Sequence, residues 1–264
     1  MARNTEYMKL KKKKHASQQG KQIKPERLYG DKLSFAATEA YKLLRTNLFF
    51  CMPVSEDRIC PVVGITSSVQ GEGKSTTAVN LAYMLAEDGK RVCLIEGDMR
   101  APTVNSRLNL KSKEGLSQVL AGMQSNLQAV FATALHENLS VVPAGEMPPN
   151  PAELLGSENM AAFTNLLKGL YEYIIIDLPP VMVVADALAV SGVLDGILIV
   201  VEDGITTKRQ LNESMQRLEV IKNKILGFVV THAESGRRRY GKKKYGYGYY
   251  YGYGYGHRQK SKDS

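Results

Sequence analysis

A lysine followed by two hydroxyls, Lys74-Ser75-Thr76, stands directly after a glycine-rich turn, and three acidic side chains, Glu96, Asp98 and Asp177, stand at the ends of apolar runs. These are the residues of the chain whose types and spacing can do chemistry. The turn reads Ser68-Val69-Gln70-Gly71-Glu72-Gly73. Gly71 and Gly73 let backbone N–H groups curl around a polyphosphate, and a helix beginning at Lys74 adds unpaired donors and the positive end of its dipole. On that reading Val69 to Thr76 (Val69, Gln70, Gly71, Glu72, Gly73, Lys74, Ser75 and Thr76) cradle the phosphates of ATP. Lys74 reaches the β- and γ-phosphates and the Ser75 hydroxyl ligates Mg²⁺. The pattern G-x-x-x-x-G-K-[ST] is incomplete, because Ser68 stands where its first glycine belongs.

The elements that must position these groups follow from the flanking residues. Val62 to Ile65 is an apolar run leading into the turn, so strand, phosphate loop and helix succeed one another. A second strand, Arg91 to Ile95, ends at Glu96-Gly97-Asp98-Met99-Arg100, and a third, Tyr173 to Ile176, ends at Asp177. Ligands of open parallel sheets bind outside the carboxyl ends of the strands, which points Glu96, Asp98 and Asp177 at a Mg²⁺·ATP site. A Pro-rich bend from Pro143 to Pro151 precedes a helix with Asn150 as N-cap and Pro151 in its first turn. Gly196 to Val201, a helix over Thr206 to Ile221, and Ile225 to Val230 continue the alternation. The fold class is α/β, a mostly parallel sheet with right-handed crossovers and helices on both faces.

Upstream, Ser34 to Phe50 reads as a helix with Leu43, Leu44, Leu48 and Phe49 on one apolar stripe, and with Glu39, Lys42 and Arg45 as neighbours on one face. Three cysteines, Cys51, Cys60 and Cys93, lack disulfide or metal spacing and read as reduced, mostly buried thiols of a cytosolic protein. The longest apolar run is too short to span a bilayer.

The formal net charge of +9 is unevenly placed. Residues 1–32 hold ten Lys/Arg against three acids, and residues 236–264 hold nine against one, so the stretch between them is acidic at −6. Three segments follow: a basic N-terminal segment, 1–33, a domain, 34–235, and a Gly/Tyr-rich basic tail, 236–264. The tail carries eight of the fourteen tyrosines, Tyr240, Tyr245, Tyr247, Tyr249, Tyr250, Tyr251, Tyr253 and Tyr255. Interleaved glycine denies it a fixed fold and presents every hydroxyl on solvated backbone. A surface-adhesive segment and a single-stranded nucleic acid binder compete with a third reading, in which the tyrosines accept phosphate from the site beside them. Each phosphate adds about −1.5 to −2 charges, so a few reverse the sign of the tail.

These motifs, with Pro148 to Leu155, Asp177-Leu-Pro-Pro180 and Asp186, resemble over roughly residues 34–256 the bacterial protein-tyrosine kinases of the Firmicute type. In that family the kinase is the cytosolic half of a split pair whose other half is a membrane-spanning activator. The resemblance implies a fold similar to partition and septum-site ATPases. It also implies a phosphate-binding Lys74, Mg²⁺ ligands Ser75, Asp98 and Asp177, and Arg100 within the catalytic set. The acid that takes the tyrosyl proton falls at Glu96, where the family usually has Asp, and Thr231 falls where an Asn commonly contacts adenine. The subunit-contact motif E-x-x-R-x-x-R becomes Glu39, Lys42, Arg45, and Lys does not reproduce the planar fork of Arg. The implied activity is ATP-dependent autophosphorylation of the tyrosine cluster between subunits of a ring, controlling exopolysaccharide or capsule assembly at the inner face of the membrane. Implied partners are the polysaccharide co-polymerase-type activator and a cognate tyrosine phosphatase, with glycosyltransferases and sugar-nucleotide dehydrogenases as further substrates. A positioning ATPase without kinase activity is the alternative.

Overall fold

Strands rich in Val and Ile with neither face polar need cover on both sides, and that requirement organises the architecture. In the computed structural model the described residues are 29–52, 60–110, 112, 114–124, 126–183 and 186–233. The basic segment up to residue 28 and the tail with all eight of its tyrosines lie outside them, so the expectations placed there are not addressed by the fold.

In chain order the elements are α1 (Phe35–Cys51), β1 (Val62–Ser67), α2 (Lys74–Glu87), β2 (Val92–Glu96), α3 (Val104–Arg107), α4 (Leu116–Leu120), β3 (Ala132–Thr133), β4 (Leu139–Val142), α5 (Pro151–Leu155), α6 (Glu158–Lys168), β5 (Tyr173–Asp177), α7 (Asp186–Ala189), β6 (Gly196–Glu202), α8 (Lys208–Arg217) and β7 (Ile225–Thr231). They build a sheet of order β3-β4-β2-β5-β1-β6-β7. Only the short β3–β4 pairing at one edge is antiparallel. The remaining pairings are parallel, as the alternation of strands and helices requires.

Successive residues of each strand serve opposite faces. Val62, Ile95, Ile174, Ile176, Ile197 and Ile199 pack beneath α4 to α6, whereas Val63, Ile65, Leu94, Ile175, Leu198 and Val200 pack against α2. α2 lies between the sheet and α1, and twelve of its residues are buried. A helix covered on nearly every side cannot shift without disturbing the core, so the residues of its first turn are rigidly mounted.

The structure corrects two local expectations. Along α1, Leu48 is buried, but Leu43 and Phe49 are exposed at 61% and 67%; the packed face follows the i, i+4 line of Leu44 and Leu48. Asn150 holds the N-cap position of α5 without capping it through its side chain. Its amide instead donates to Glu153 Oε2 at 2.6 Å. Ser34 does cap α1, accepting from Ala37 N at 3.3 Å. Cys60 and Cys93 are buried and Cys51 is exposed, and no described helix is long and apolar enough to cross a membrane.

Candidate active site

β1 ends at Ser67 and α2 begins at Lys74, so the loop between them opens at the carboxyl rim of the sheet. Gly71 and Gly73 take φ of +98° and +92°, a left-handed region that disfavours any residue with a Cβ. Gly73 is also the N-cap of α2 and offers no side chain to its free N–H groups. The loop borders a cavity of about 750 Å³ together with Asp98, Arg100, Arg107, Thr231 and the flank of α1. Of the expected phosphate-binding residues, Gln70, Gly71, Gly73, Lys74, Ser75 and Thr76 line it. The side chains of Val69 and Glu72 do not: Glu72 is buried with its carboxylate turned into the loop, where Val69 N donates to it at 2.7 Å.

β2 and β5 are neighbours in the sheet, with Glu96 opposite Asp177. Gly97 N donates to Asp177 O at 2.8 Å, which fixes the loop after β2 against the end of β5. That arrangement brings three sequence-predicted residues together. Lys74 Nζ lies 2.8 Å from Asp98 Oδ2 and 3.5 Å from Asp177 Oδ1, and all three side chains are at most 9% exposed. Lys74 also reaches Ser75 Oγ at 3.3 Å.

Burial opposes the charge on Lys74, but Asp177 and Asp98 outweigh it and hold the ammonium above its ordinary pKa. Burial likewise raises the Asp177 carboxyl, with Lys74 and Ser75 drawing it partly back. Two carboxyl groups therefore share one cation in a largely buried site. Neither oxygen of Asp177 has a well-formed hydrogen bond. A buried carboxylate held only loosely by Lys74 and Ser75, beside Asp98, is a donor set that suits a hard, oxygen-seeking divalent cation. Among the described residues no three His, Cys, Asp or Glu side chains form a closed cage, so such an ion needs oxygens from its ligand as well.

Glu96 is not brought to the cavity. Its carboxylate is fully buried and accepts from three backbone donors: Thr103 N, Val104 N at 2.5 Å and Ala144 N at 3.2 Å. Burial raises its pKa, and those N–H groups partly offset the shift. The side chain braces the loop after β2 and ties it to the segment following β4. Arg100 is on the cavity wall, where Nε and Nη2 engage the buried Asp186 at 3.0 and 3.3 Å.

Residues 61–227 match the AAA domain family. The tyrosine-protein kinase YwqD of Bacillus subtilis is 40% identical over 205 residues, covering 75% of this chain and 85% of that protein. The chain belongs to the bacterial tyrosine-protein kinases.

The fold agrees with that membership. The kinase domain of the Escherichia coli tyrosine kinase ETK superposes with a TM-score of 0.68 at 30% identity, covering 81% of this chain and 80% of that one. The septum site-determining protein MinD of Pyrococcus horikoshii, complexed with Mg-ADP, superposes at 0.56 with 25% identity, covering 68% and 73%. The sheet expected from sequence is thus that of the P-loop NTPases.

Against the bacterial tyrosine kinase pattern, the three charges of α1 divide. Glu39 and Lys42 pair at 3.2 Å in the open. Arg45 turns inward, donating to Met84 O at 3.0 Å and meeting Asp88 at 3.1 Å, so it fastens α1 to α2. Thr231 reaches the cavity wall and donates to Glu72 O at 2.9 Å.

Two residues at the site carry no motif in the sequence. Arg107 Nη1 donates to Thr76 Oγ1 at 3.1 Å and to Tyr29 Oη at 2.8 Å, joining α3 to the first turn of α2. Thr206 donates to the second carboxylate oxygen of Glu72. Only folding brings Thr206 across 134 positions to the loop, and no spacing rule records that.

Proposed function

We propose that this chain is an ATP-dependent protein-tyrosine kinase that phosphorylates its own C-terminal cluster, Tyr240 to Tyr255, between subunits of a ring. The observation that supports it most directly is Lys74, held between Asp98 and Asp177 at the open end of a phosphate loop, in a member of the tyrosine kinase family.

On this reading the loop N–H groups and Lys74 bind and orient the phosphates, and Arg100, fixed by Asp186, adds positive charge at the rim. Mg²⁺, held by Ser75, Asp98 and Asp177, would neutralise the phosphate oxygens and align the terminal group. The phenolic oxygen forms a bond to the γ-phosphorus, the bond to the β–γ bridging oxygen breaks, and ADP leaves. The phenolic proton departs in the same step. With Glu96 engaged by backbone donors and Asp98 committed to Lys74 and the cation, that proton passes to an oxygen of the phosphoryl group or to water.

Family membership further supports a membrane-spanning activator as partner, peripheral attachment at the membrane through it, and control of exopolysaccharide assembly. Mixing Lys74→Met protein with a tail-deleted active chain and γ-labelled ATP should label tyrosines of the variant. Absence of label on the variant would overturn transfer between subunits. Free phosphate with no labelled protein would favour a positioning ATPase, the class to which the MinD likeness points.

A further inference from the structure

We propose that Glu72 and Thr206 form a latch that holds the phosphate loop in shape, making Thr206 a positioning residue for nucleotide phosphates. The proposal rests on the nucleotide reading of the site given above.

A loop that gathers anions has no use for a carboxylate among its binding groups, yet Glu72 lies at its centre with its side chain wholly removed from solvent. Placing a charge there is unfavourable unless each oxygen is satisfied. Each one is. Oε2 accepts from Val69 N at 2.7 Å, and Oε1 accepts from the hydroxyl of Thr206. The first bond closes the loop on itself around Gln70 and Gly71, both of which face the cavity and are exposed. A Cβ built on Gly71 would meet nothing within 4 Å, so no packing restrains that tip. The Val69–Glu72 closure is what fixes its curvature.

The second bond anchors the closure to the framework. Thr206 Oγ1 accepts from Glu202 N at 2.9 Å at the end of β6, and Thr206 N donates back to Glu202 O at 3.0 Å. Thr231, the last residue of β7, adds its hydrogen bond to the Glu72 carbonyl. The loop is therefore stapled to the ends of two strands that contribute no phosphate-binding group of their own. Removing the Thr206 hydroxyl takes the partner from one buried carboxylate oxygen and from the part-buried Glu202 N, and Glu72 regains freedom to turn out of the loop.

The test uses the full chain with Mg²⁺ and ATP, comparing wild type, Thr206→Val and Thr206→Ser by calorimetric titration. Thr206→Val keeps the volume and removes the hydroxyl, whereas Thr206→Ser keeps the hydroxyl. The latch predicts that Thr206→Val weakens ATP binding by about ten-fold, in line with the loss of a hydrogen bond to a charged group. Thr206→Ser should stay within about three-fold of wild type. In kinase assays the loss in Thr206→Val should appear in KM for ATP rather than in kcat. Wild-type affinity in Thr206→Val, a loss confined to kcat, or equal impairment of both variants would overturn the latch alone. A wild-type chain that binds no ATP would overturn the nucleotide reading and the latch with it.

Discussion

Lys74 Nζ lies 2.8 Å from Asp98 Oδ2, although the first residue opens α2 and the second follows β2. The contact exists because β2 and β1 both flank β5 in a parallel sheet, so their carboxyl ends open on one rim. Asp177, at the end of β5, completes a buried group of two carboxylates around one ammonium. Such a group is poorly balanced as a structural device and suited to exchanging its partners for phosphate and a divalent cation.

That imbalance predicts a trade of stability against activity. Burial raises Asp177 above its unfolded carboxyl value, so between the unfolded and folded pKa the native protein binds more protons than the unfolded chain. Stability contributed by this group is then present at low pH and lost as pH rises through the folded pKa. Asp177→Asn, which leaves Lys74 and Asp98 as a matched pair, should melt above wild type near neutral pH while losing phosphoryl transfer. The advantage should shrink toward pH 4. At about 2–4 °C per kcal/mol for a domain of this size, calorimetry resolves it; a lower melting temperature than wild type across the whole range would contradict the argument.

Glu96 should behave as a brace. Glu96→Gln keeps one acceptor but aims amide hydrogens at backbone donors, and stranding such a donor costs about 1–3 kcal/mol. Shortening the side chain in Glu96→Asp withdraws it from Thr103 and Val104. Both variants should lose stability in denaturant unfolding, with any loss of activity following it. Full wild-type stability combined with abolished transfer in Glu96→Gln would instead assign this carboxylate a direct chemical role.

The Arg100–Asp186 pair should respond unequally to removal of its two members. Asp186 has a side chain only 1% exposed, whereas that of Arg100 is 38% exposed. Arg100→Met strands a buried charge, for which about 3–5 kcal/mol is typical. Asp186→Asn leaves an arginine that can turn to water, and should cost about 1 kcal/mol. Equal losses in chemical denaturation would show that the pair does not carry the buried charge as described.

How much of this was legible in the sequence depends on how local the cause is. The strand, loop and helix around Lys74 follow from a β-branched run, two glycines that take positive φ, and a lysine at the helix start. Asp98 and Asp177 stand at one rim because parallel strands end together. The direction of Glu96 was not legible, since it depends on a chain reversal that returns Thr103 and Val104 to the end of β2. Helical spacing groups Arg45 with Glu39 and Lys42, but its reach to Met84 and Asp88 is set by how α1 lies on α2. Leu43 and Phe49 misled for a related reason: apolar type alone does not say which side of a helix finds a partner. Arg107 and Thr206 become visible only when distant segments are brought together.

The central claim is that the phosphate loop and the tyrosine cluster are donor site and acceptor of one reaction. Intact-mass measurement of the full chain, incubated with Mg²⁺, ATP and the cytosolic segment of the activator proposed above, tests this most directly. The account predicts mass gained in whole phosphoryl steps, absent in Lys74→Met and mapping to Tyr240 through Tyr255. An unchanged mass, or phosphate found only outside that cluster, would contradict it.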